Sequence, residues 1–483
     1  MLINSITKPL YGPHQMQFGI SYISSFLKAH GHETRLVVLS RVSRRRNWKI
    51  IDECLRKFCP RLICFTAVST EYQFIANVAR YIKNHHPDIY LLVGGPHVSL
   101  NPNDALFGDF DALCIGEGEY PVLELVSQLE ENLHPSGIPN LWIKNDSTTE
   151  KNPPRPFLQD LDSLPFPDRE MWEEWIRERE ESRHTVLLGR GCPYQCSYCC
   201  NHVFAKLAAG TYTRFRSPDS IANEIRELIA RYPRQNEIFL EIENLDGNRE
   251  WAIELCLELE CLNRTLDRPL SFGANVRITP NADYGELFAA CKKANFTFLY
   301  IGLESGSEKI RREILRRDYS NEDIINAIAS AKKHGLKVGL FVMIGLPGET
   351  MTDFWQTARI ARTCSPDWTL SYIFFPYPGT DLYRLCEEQG WLRTRVDTEL
   401  ERKKCVLDLP GFTKKQVEKS YTWFDYYVFK GRKPVYEILA SVLGKKLDSG
   451  PYGSIVLPAV SRSHFLDCLR NVFSELRNPI TKY

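Results

Sequence analysis

At 483 residues the chain is too long for one ordinary core, and two or three domains are expected. Its 43% hydrophobic and 25% charged content is that of a globular protein, and 61 basic against 60 acidic residues leave a net charge of +1, which gives no electrostatic ground for a nucleic-acid partner. No stretch approaches the ~20 apolar residues of a membrane span and no signal peptide opens the sequence, so a cytoplasmic protein without a membrane span is expected. Residues 1–130 alternate short apolar runs with amphipathic stretches, the pattern of βα units around a parallel sheet. MLINSI opens as a strand, and after a turn at Tyr11–Gly12–Pro13 the stretch FGISYISSFLKAHG reads as a helix ending at Gly31. TRLVVL, RLICFTAV, IYLLVGG and ALCIG follow as buried strands, with EYQFIANVARYIKNH among the helices between them. Gly94, Gly95, Gly116 and Gly118 fall at strand ends, where an open α/β sheet binds its ligands and where backbone can approach one closely.

Residues 145–170 are rich in proline and polar side chains and read as part of an interdomain linker spanning 141–182. A second βα series begins at HTVLLGRG and continues through EIFLEI, LSFGANV, FTFLYIGL, KVGLFVMIG and WTLSYIFF. Six such units predict a partial (β/α)6 barrel over 183–400, short of a closed eightfold one. Residues 401–483 read as a helical C-terminal extension; the aromatics of KKQVEKSYTWFDYYVFKG serve first as helix core.

Fifteen cysteines are too many, and too odd in number, for a disulfide framework in a chain of this length. Most, such as Cys64 in LICFTAV and Cys114 in ALCIGEG, sit in apolar runs as small buried hydrophobes. One cluster differs. Cys192, Cys196 and Cys199 follow the first barrel strand with C-x3-C-x2-C spacing, and Cys200 beside them is a packing residue. A closed zinc site wants four ligands in CxxC pairs, and no second pair follows. Three thiolates on one tight loop suit a [4Fe–4S] cubane whose fourth iron stays open to a small chelating molecule.

This loop resembles the CxxxCxxC signature of radical S-adenosylmethionine (SAM) enzymes, with Tyr198 at the aromatic position beside the adenine. FLYIGLESGSEKI is similar to the family's fourth-strand segment, which implies Glu304 and Ser305 as contacts to the methionine and ribose parts of SAM. GLFVMIGLPGET is similar to its fifth-strand motif, whose backbone at Gly345 holds the adenine, while Glu349 there starts the next helix. FFPYPGTDLY is similar to the segment after the sixth strand and is assigned only a turn. EIFLEIENLDGNR stands where two adjacent acids are usual, but here Ile242 and Glu243 occupy the pair. Arg277, at the end of the third strand, can pair with a carboxylate or serve as a structural ion pair. No catalytic residue is assigned.

Residues 1–140 resemble the Rossmann-like cobalamin-binding domain that precedes the barrel in one subgroup of this family, through FTAVSTEY, LLVGGPHVSLNP and DALCIGEGEYPVLEL. That resemblance implies Ser69, Thr70, Gly94, Gly95, Gly116 and Gly118 as cobalamin contacts. The D-x-H-x-x-G motif that supplies a histidine to cobalt is missing, and His97 in GGPH reads as an ordinary turn histidine. The implied cofactors are a [4Fe–4S] cluster, SAM and cobalamin. The implied reaction is C-methylation of an unactivated carbon through a 5′-deoxyadenosyl radical and methylcobalamin. Its partners would be a small-molecule or peptide substrate and an external electron donor such as flavodoxin or ferredoxin. Alternatives are a cobalamin-dependent radical cyclisation or rearrangement without methyl transfer, and a non-enzymatic cobalamin sensor. A methylthiotransferase is a poor match, since Cys54, Cys59 and Cys64 are poorly placed to hold a second cluster.

Overall fold

A computed structural model describes residues 1–6, 16–41, 44–145, 148–174, 184–392, 398–402 and 404–448. The turn expected at Tyr11–Gly12–Pro13 and the extension beyond residue 448 lie outside them. The chain forms two compact units: Met1–Asn275 with Ala289–Thr297 and Tyr377–Arg384, and Val276–Phe288 with Phe298–Pro376 and the residues from Leu385 on.

The first unit opens with strands β1 (Leu2–Ile6), β2 (Leu36–Ser40), β3 (Leu62–Thr66), β4 (Tyr90–Gly94) and β5 (Ala112–Cys114), all parallel, in sheet order β2-β1-β3-β4-β5. Successive side chains of a strand face opposite ways, and both faces here are apolar because helices cover both. Ile63, Phe65, Leu91 and Val93 pack with Leu55, Ile75 and Ile82 of the helices Arg44–Phe58 and Tyr72–His85. Leu62, Cys64, Leu92 and Cys114 face the other way, onto Ile20, Leu27, Val122 and Leu125 of the helices Phe18–Ala29 and Glu119–Glu130. The helix Phe18–Ala29 stops where Gly31 turns left-handed (φ +87°), with the amides of Gly31 and His32 donating to the Lys28 and Leu27 carbonyls.

The boundary drawn at residue 140 shifts. β6 (Leu141–Lys144) extends the same sheet antiparallel to β5 and β7 (Thr149–Lys151) antiparallel to β6, because Leu141 and Ile143 alternate into the core. The rest of the proline-rich segment is pinned down. Asp168 accepts from Ser24 at 2.6 Å and pairs with Lys28 at 3.0 Å, buried Trp172 donates to Ser21 at 2.8 Å, and Arg169 meets Glu224 at 2.6 Å.

The barrel strands follow. In the first unit β8 (His184–Leu187) and β12 (Ser271–Val276) flank β11 (Glu237–Glu241) in parallel. Between β8 and β11 a short antiparallel ribbon pairs β9 (Gly189–Arg190) with β10 (Arg214–Phe215). In the second unit β13 (Phe296–Glu304), β14 (Lys337–Ile344) and β15 (Trp368–Ile373) pair in parallel. Helices alternate with these six strands, giving the expected (β/α)6 arrangement. Capping boxes start the helices Asn321–Lys333, Met351–Cys364 and Lys414–Phe429, through Ser320/Asp323, Thr350/Asp353 and Thr413/Gln416. The last of these packs Phe424 against Phe354, so that part of the aromatic cluster is core. Asp425 is buried on the same helix, bonded to Thr369 and Ser441 and paired with Lys445 at 3.1 Å.

Candidate cofactor sites

The thiol loop hangs from the β9–β10 ribbon, and two glycines permit it. A Cβ on Gly189 would lie 2.4 Å from the Arg214 carbonyl oxygen, and one on Gly191, where φ is +86°, 2.2 Å from that of Tyr212. Beyond them Cys196 is buried and Cys192, Tyr198 and Cys199 are half-buried. The Cys199 amide donates to the Cys196 carbonyl at 3.1 Å, which tightens the turn. Electrostatic interaction links Cys192 to both Cys196 and Cys199. Burial pushes the Cys192 thiol up to about 11. Cys199 goes the other way, to about 7, because the Cys200 thiol and then Asn201 donate to its sulfur against the effect of burial. Cys200, read from sequence as packing, is therefore a donor to a neighbouring thiolate, and its own pKa rises.

Among the described residues no three His, Cys, Asp or Glu side chains converge on one point as a single-ion site requires. A cubane asks for something different, one soft thiolate on each of three irons, and the three loop cysteines have that chemistry. Tyr212 donates to Asn201 at 2.6 Å, and Asn201 donates to Cys199 at 3.4 Å. The PYPGT segment does more than turn. The Leu382 amide donates to the Ser197 carbonyl at 3.0 Å, and Asp381 lies 3.1 Å from buried His202.

Glu243 faces open space yet has protein on most sides, and burial raises its carboxyl. Glu241, two residues earlier at the end of β11, is pushed up to about 7 by burial and by Glu243. The second acid is thus present with one residue between, a spacing that a search for adjacent acids passes over.

At the carboxyl ends of the first sheet, Gly94, Gly95, Gly116 and Gly118 line a cavity of about 300 Å³. A Cβ on Gly95 (φ +96°) would meet the Ala67 nitrogen and Thr66 Oγ1 at 2.8 Å, and one on Gly118 would meet Ile23 at 2.9 Å. Arg190, Gly191 and Tyr212 line the same cavity, so the glycine rim and the thiol loop share a wall. Ser69 and Thr70 stand outside it. The Ser69 hydroxyl is 3.1 Å from His97 Nδ1, and the Thr70 carbonyl accepts from Arg41. His97, read as a turn histidine, lies instead in the short helix Pro96–Leu100, where it stacks on Tyr72 and lies 3.4 Å from Asp104.

Sequence reading missed what joins rim to loop. Arg190 lies 3.1 Å from Glu117 and 2.5 Å from Glu119, and Arg214 lies 2.9 Å from Glu117. Burial alone would raise the Glu119 carboxyl, but Arg190 outweighs it and holds the group below its ordinary value.

In the second unit Glu304 takes φ +58° at a register shift in β13 and pairs with Arg317 at 3.2 Å. The Ser305 hydroxyl is fully buried, 3.4 Å from Thr357 Oγ1 and accepting from the Ser307 amide at 3.2 Å. As placed, it builds the turn. Gly345 (φ +82°) and Leu346 donate their amides to Glu349 at 2.6 and 2.9 Å, so Glu349 is a buried brace for this strand end rather than a simple helix start. Burial pushes its carboxyl up to about 8. Arg277 is buried, its carbonyl accepting from Tyr284 at 3.3 Å.

These features define a thiol-loop barrel behind a Rossmann-like ligand domain. Family models agree: residues 12–126 match the B12 binding domain and 186–361 the Radical SAM superfamily. An uncharacterized methyltransferase of Pyrococcus horikoshii is 27% identical over 419 residues, covering 86% of this chain and 88% of its own. The anaerobic magnesium-protoporphyrin IX monomethyl ester cyclase of Rubrivivax gelatinosus is 25% identical over 379 residues, covering 76% of this chain and 65% of its own. The solved structure of the radical SAM methyltransferase TsrM from Kitasatospora setae, with cobalamin and a [4Fe–4S] cluster, superposes with a TM-score of 0.70 at 15% identity, over 98% of this chain and 99% of that one. The chain thus carries a B12 binding domain followed by a Radical SAM superfamily domain, whose cofactors are cobalamin and a [4Fe–4S] cluster with SAM. Among the described residues no helix is long and apolar enough to cross a membrane.

Proposed function

We propose that this enzyme is a C-methyltransferase acting on an unactivated carbon of a small-molecule or peptide substrate, with electrons from an external donor of the flavodoxin or ferredoxin type. The observation that carries the reading is the cavity whose walls come from both the glycine rim and the thiol loop. Cobalamin and cluster chemistry are then adjacent within one unit, as methyl transfer to a carbon radical needs. Its similarity to the Pyrococcus methyltransferase along most of both chains supports the same reading.

When bound, the cluster supplies the electron that cleaves SAM, and cobalamin carries the methyl group. The chain's own residues do the rest. Cys192, Cys196 and Cys199 hold the three ligated irons, with Asn201 and Cys200 directing donors at the Cys199 sulfur. Gly94, Gly95, Gly116 and Gly118 let cobalamin approach the strand ends, while Ser69 and Thr70, outside the cavity lining, would reach only its periphery. Tyr198, Glu304, Ser305 and Gly345 are the proposed SAM contacts. The Arg190–Glu117 and Arg190–Glu119 pairs tie the glycine rim to the base of the thiol loop.

A second reading, radical cyclisation or rearrangement without methyl transfer, is favoured by the similarity to the Rubrivivax cyclase. Anaerobic turnover with reductant, SAM and hydroxocobalamin separates the two. Methyl transfer predicts both 5′-deoxyadenosine and S-adenosylhomocysteine among the products. Formation of 5′-deoxyadenosine alone would favour the second reading.

A further inference from the structure

The turn that follows β13 is built around one carboxylate. Glu304 sits in left-handed backbone (φ +58°), which costs a non-glycine residue energy and survives only where the surroundings over-determine it. Three neighbours do so. The Tyr319 hydroxyl is 2.7 Å from the Gly302 carbonyl and 3.0 Å from that of Leu303. The fully buried Arg311, in the π-helical turn Ile310–Ile314, donates to the Ser305 and Tyr319 carbonyls and to Asn321. Asn321 in turn donates to the Gly306 carbonyl at 3.1 Å.

The left-handed residue folds its carboxylate back over Gly302. A Cβ there would lie 2.5 Å from Glu304 Oε1 and 2.9 Å from Arg317 Nη1, so a larger residue would push the pair out of this arrangement. Arg317 Nη2 closes it at 3.2 Å, with both side chains about 10% exposed. A carboxylate fixed in one place by an arginine can present its second oxygen as an acceptor, which is what the amino and hydroxyl groups of SAM need.

We propose that Arg317 and Gly302 are positioning residues for SAM: they form a seat that holds the Glu304 carboxylate in one orientation. This rests on the reading of Glu304 as a SAM contact. The test uses the reconstituted holoenzyme, measuring SAM affinity by anaerobic equilibrium dialysis beside iron content and melting temperature. Arg317→Gln and Gly302→Ala should each weaken SAM binding about tenfold or more at unchanged iron content. Arg317→Lys should recover most of the loss, and Glu304→Gln should reproduce it. A weakened Glu304→Gln with wild-type affinity in Arg317→Gln and Gly302→Ala overturns the seat and leaves Glu304 a contact. Lower melting temperatures without any change in affinity also overturn it, since the pair is then structural only. Wild-type affinity in Glu304→Gln removes the contact itself, and the inference with it.

Discussion

Replacing Gly191 with alanine tests the claim that a two-residue ribbon holds the thiol loop. At φ +86° the alanine meets two penalties. Left-handed backbone costs about 1–3 kcal/mol. The new Cβ, 2.2 Å from the Tyr212 carbonyl oxygen and 2.8 Å from its carbon, has only backbone to push against. Forced overpacking of that kind costs about 1–3 kcal/mol more. The ribbon is the weakest part nearby, because β9 and β10 pair only through Arg190–Arg214 and Gly189–Phe215. A strain of about 2–6 kcal/mol expressed at the loop weakens iron retention about 30-fold at its low end. The assay is iron and sulfide content after anaerobic reconstitution and a desalting step, beside the melting temperature of the apoprotein. Full iron content in Gly191→Ala, with a wild-type melting temperature, would refute the reasoning.

Other outcomes follow from the same geometry. Gly95→Ala places a Cβ 2.8 Å from the Ala67 nitrogen and should weaken hydroxocobalamin binding, read by absorbance titration, about tenfold with iron content unchanged. Glu349 is pushed up to about 8 from 4.5, so folding takes up a proton between those values and the group's contribution falls as pH rises. Glu349→Gln should therefore gain melting temperature on wild type between pH 5 and pH 8, and a constant difference contradicts this. Burial alone would raise the Asp425 carboxyl, but Lys445, Ser441 and Thr369 outweigh it and hold it below 3.8. Its stabilisation is complete above that value and is lost as pH falls through the lower folded value. Asp425→Asn should cost about 3 kcal/mol at neutral pH and show a flatter melting profile in acid.

Local pattern carried the parallel strands, the barrel series and the thiol loop, because apolar alternation, glycine at strand ends and cysteine spacing are short-range signals. What escaped is long-range or irregular. β6 and β7 hide in a proline-rich stretch whose alternation lasts only a few residues. Arg190 and Glu119, 71 positions apart, carry no shared periodicity that marks them as a pair. Glu241 was passed over because the expected acids are adjacent, while here the strand end and the bend after it bring Glu241 and Glu243 into electrostatic contact. Ser305 reads as a hydroxyl ligand until burial shows its oxygen spent on Thr357 and Ser307. A GLPGE turn shows that a carboxylate starts a helix, but not that Glu349 folds back to bind two amides of the strand it follows.

The central claim is that one chain holds both a cysteine-ligated cluster and cobalamin. The most direct measurement is anaerobic reconstitution with iron, sulfide and hydroxocobalamin, followed by metal counts and absorbance spectra of wild type and of Cys192→Ala, Cys196→Ala and Cys199→Ala. The account predicts one [4Fe–4S] cluster and one cobalt per chain in wild type, with iron lost and cobalt kept in each variant. Wild-type protein that fails to take up either metal, or variants that keep a full cluster, would contradict it.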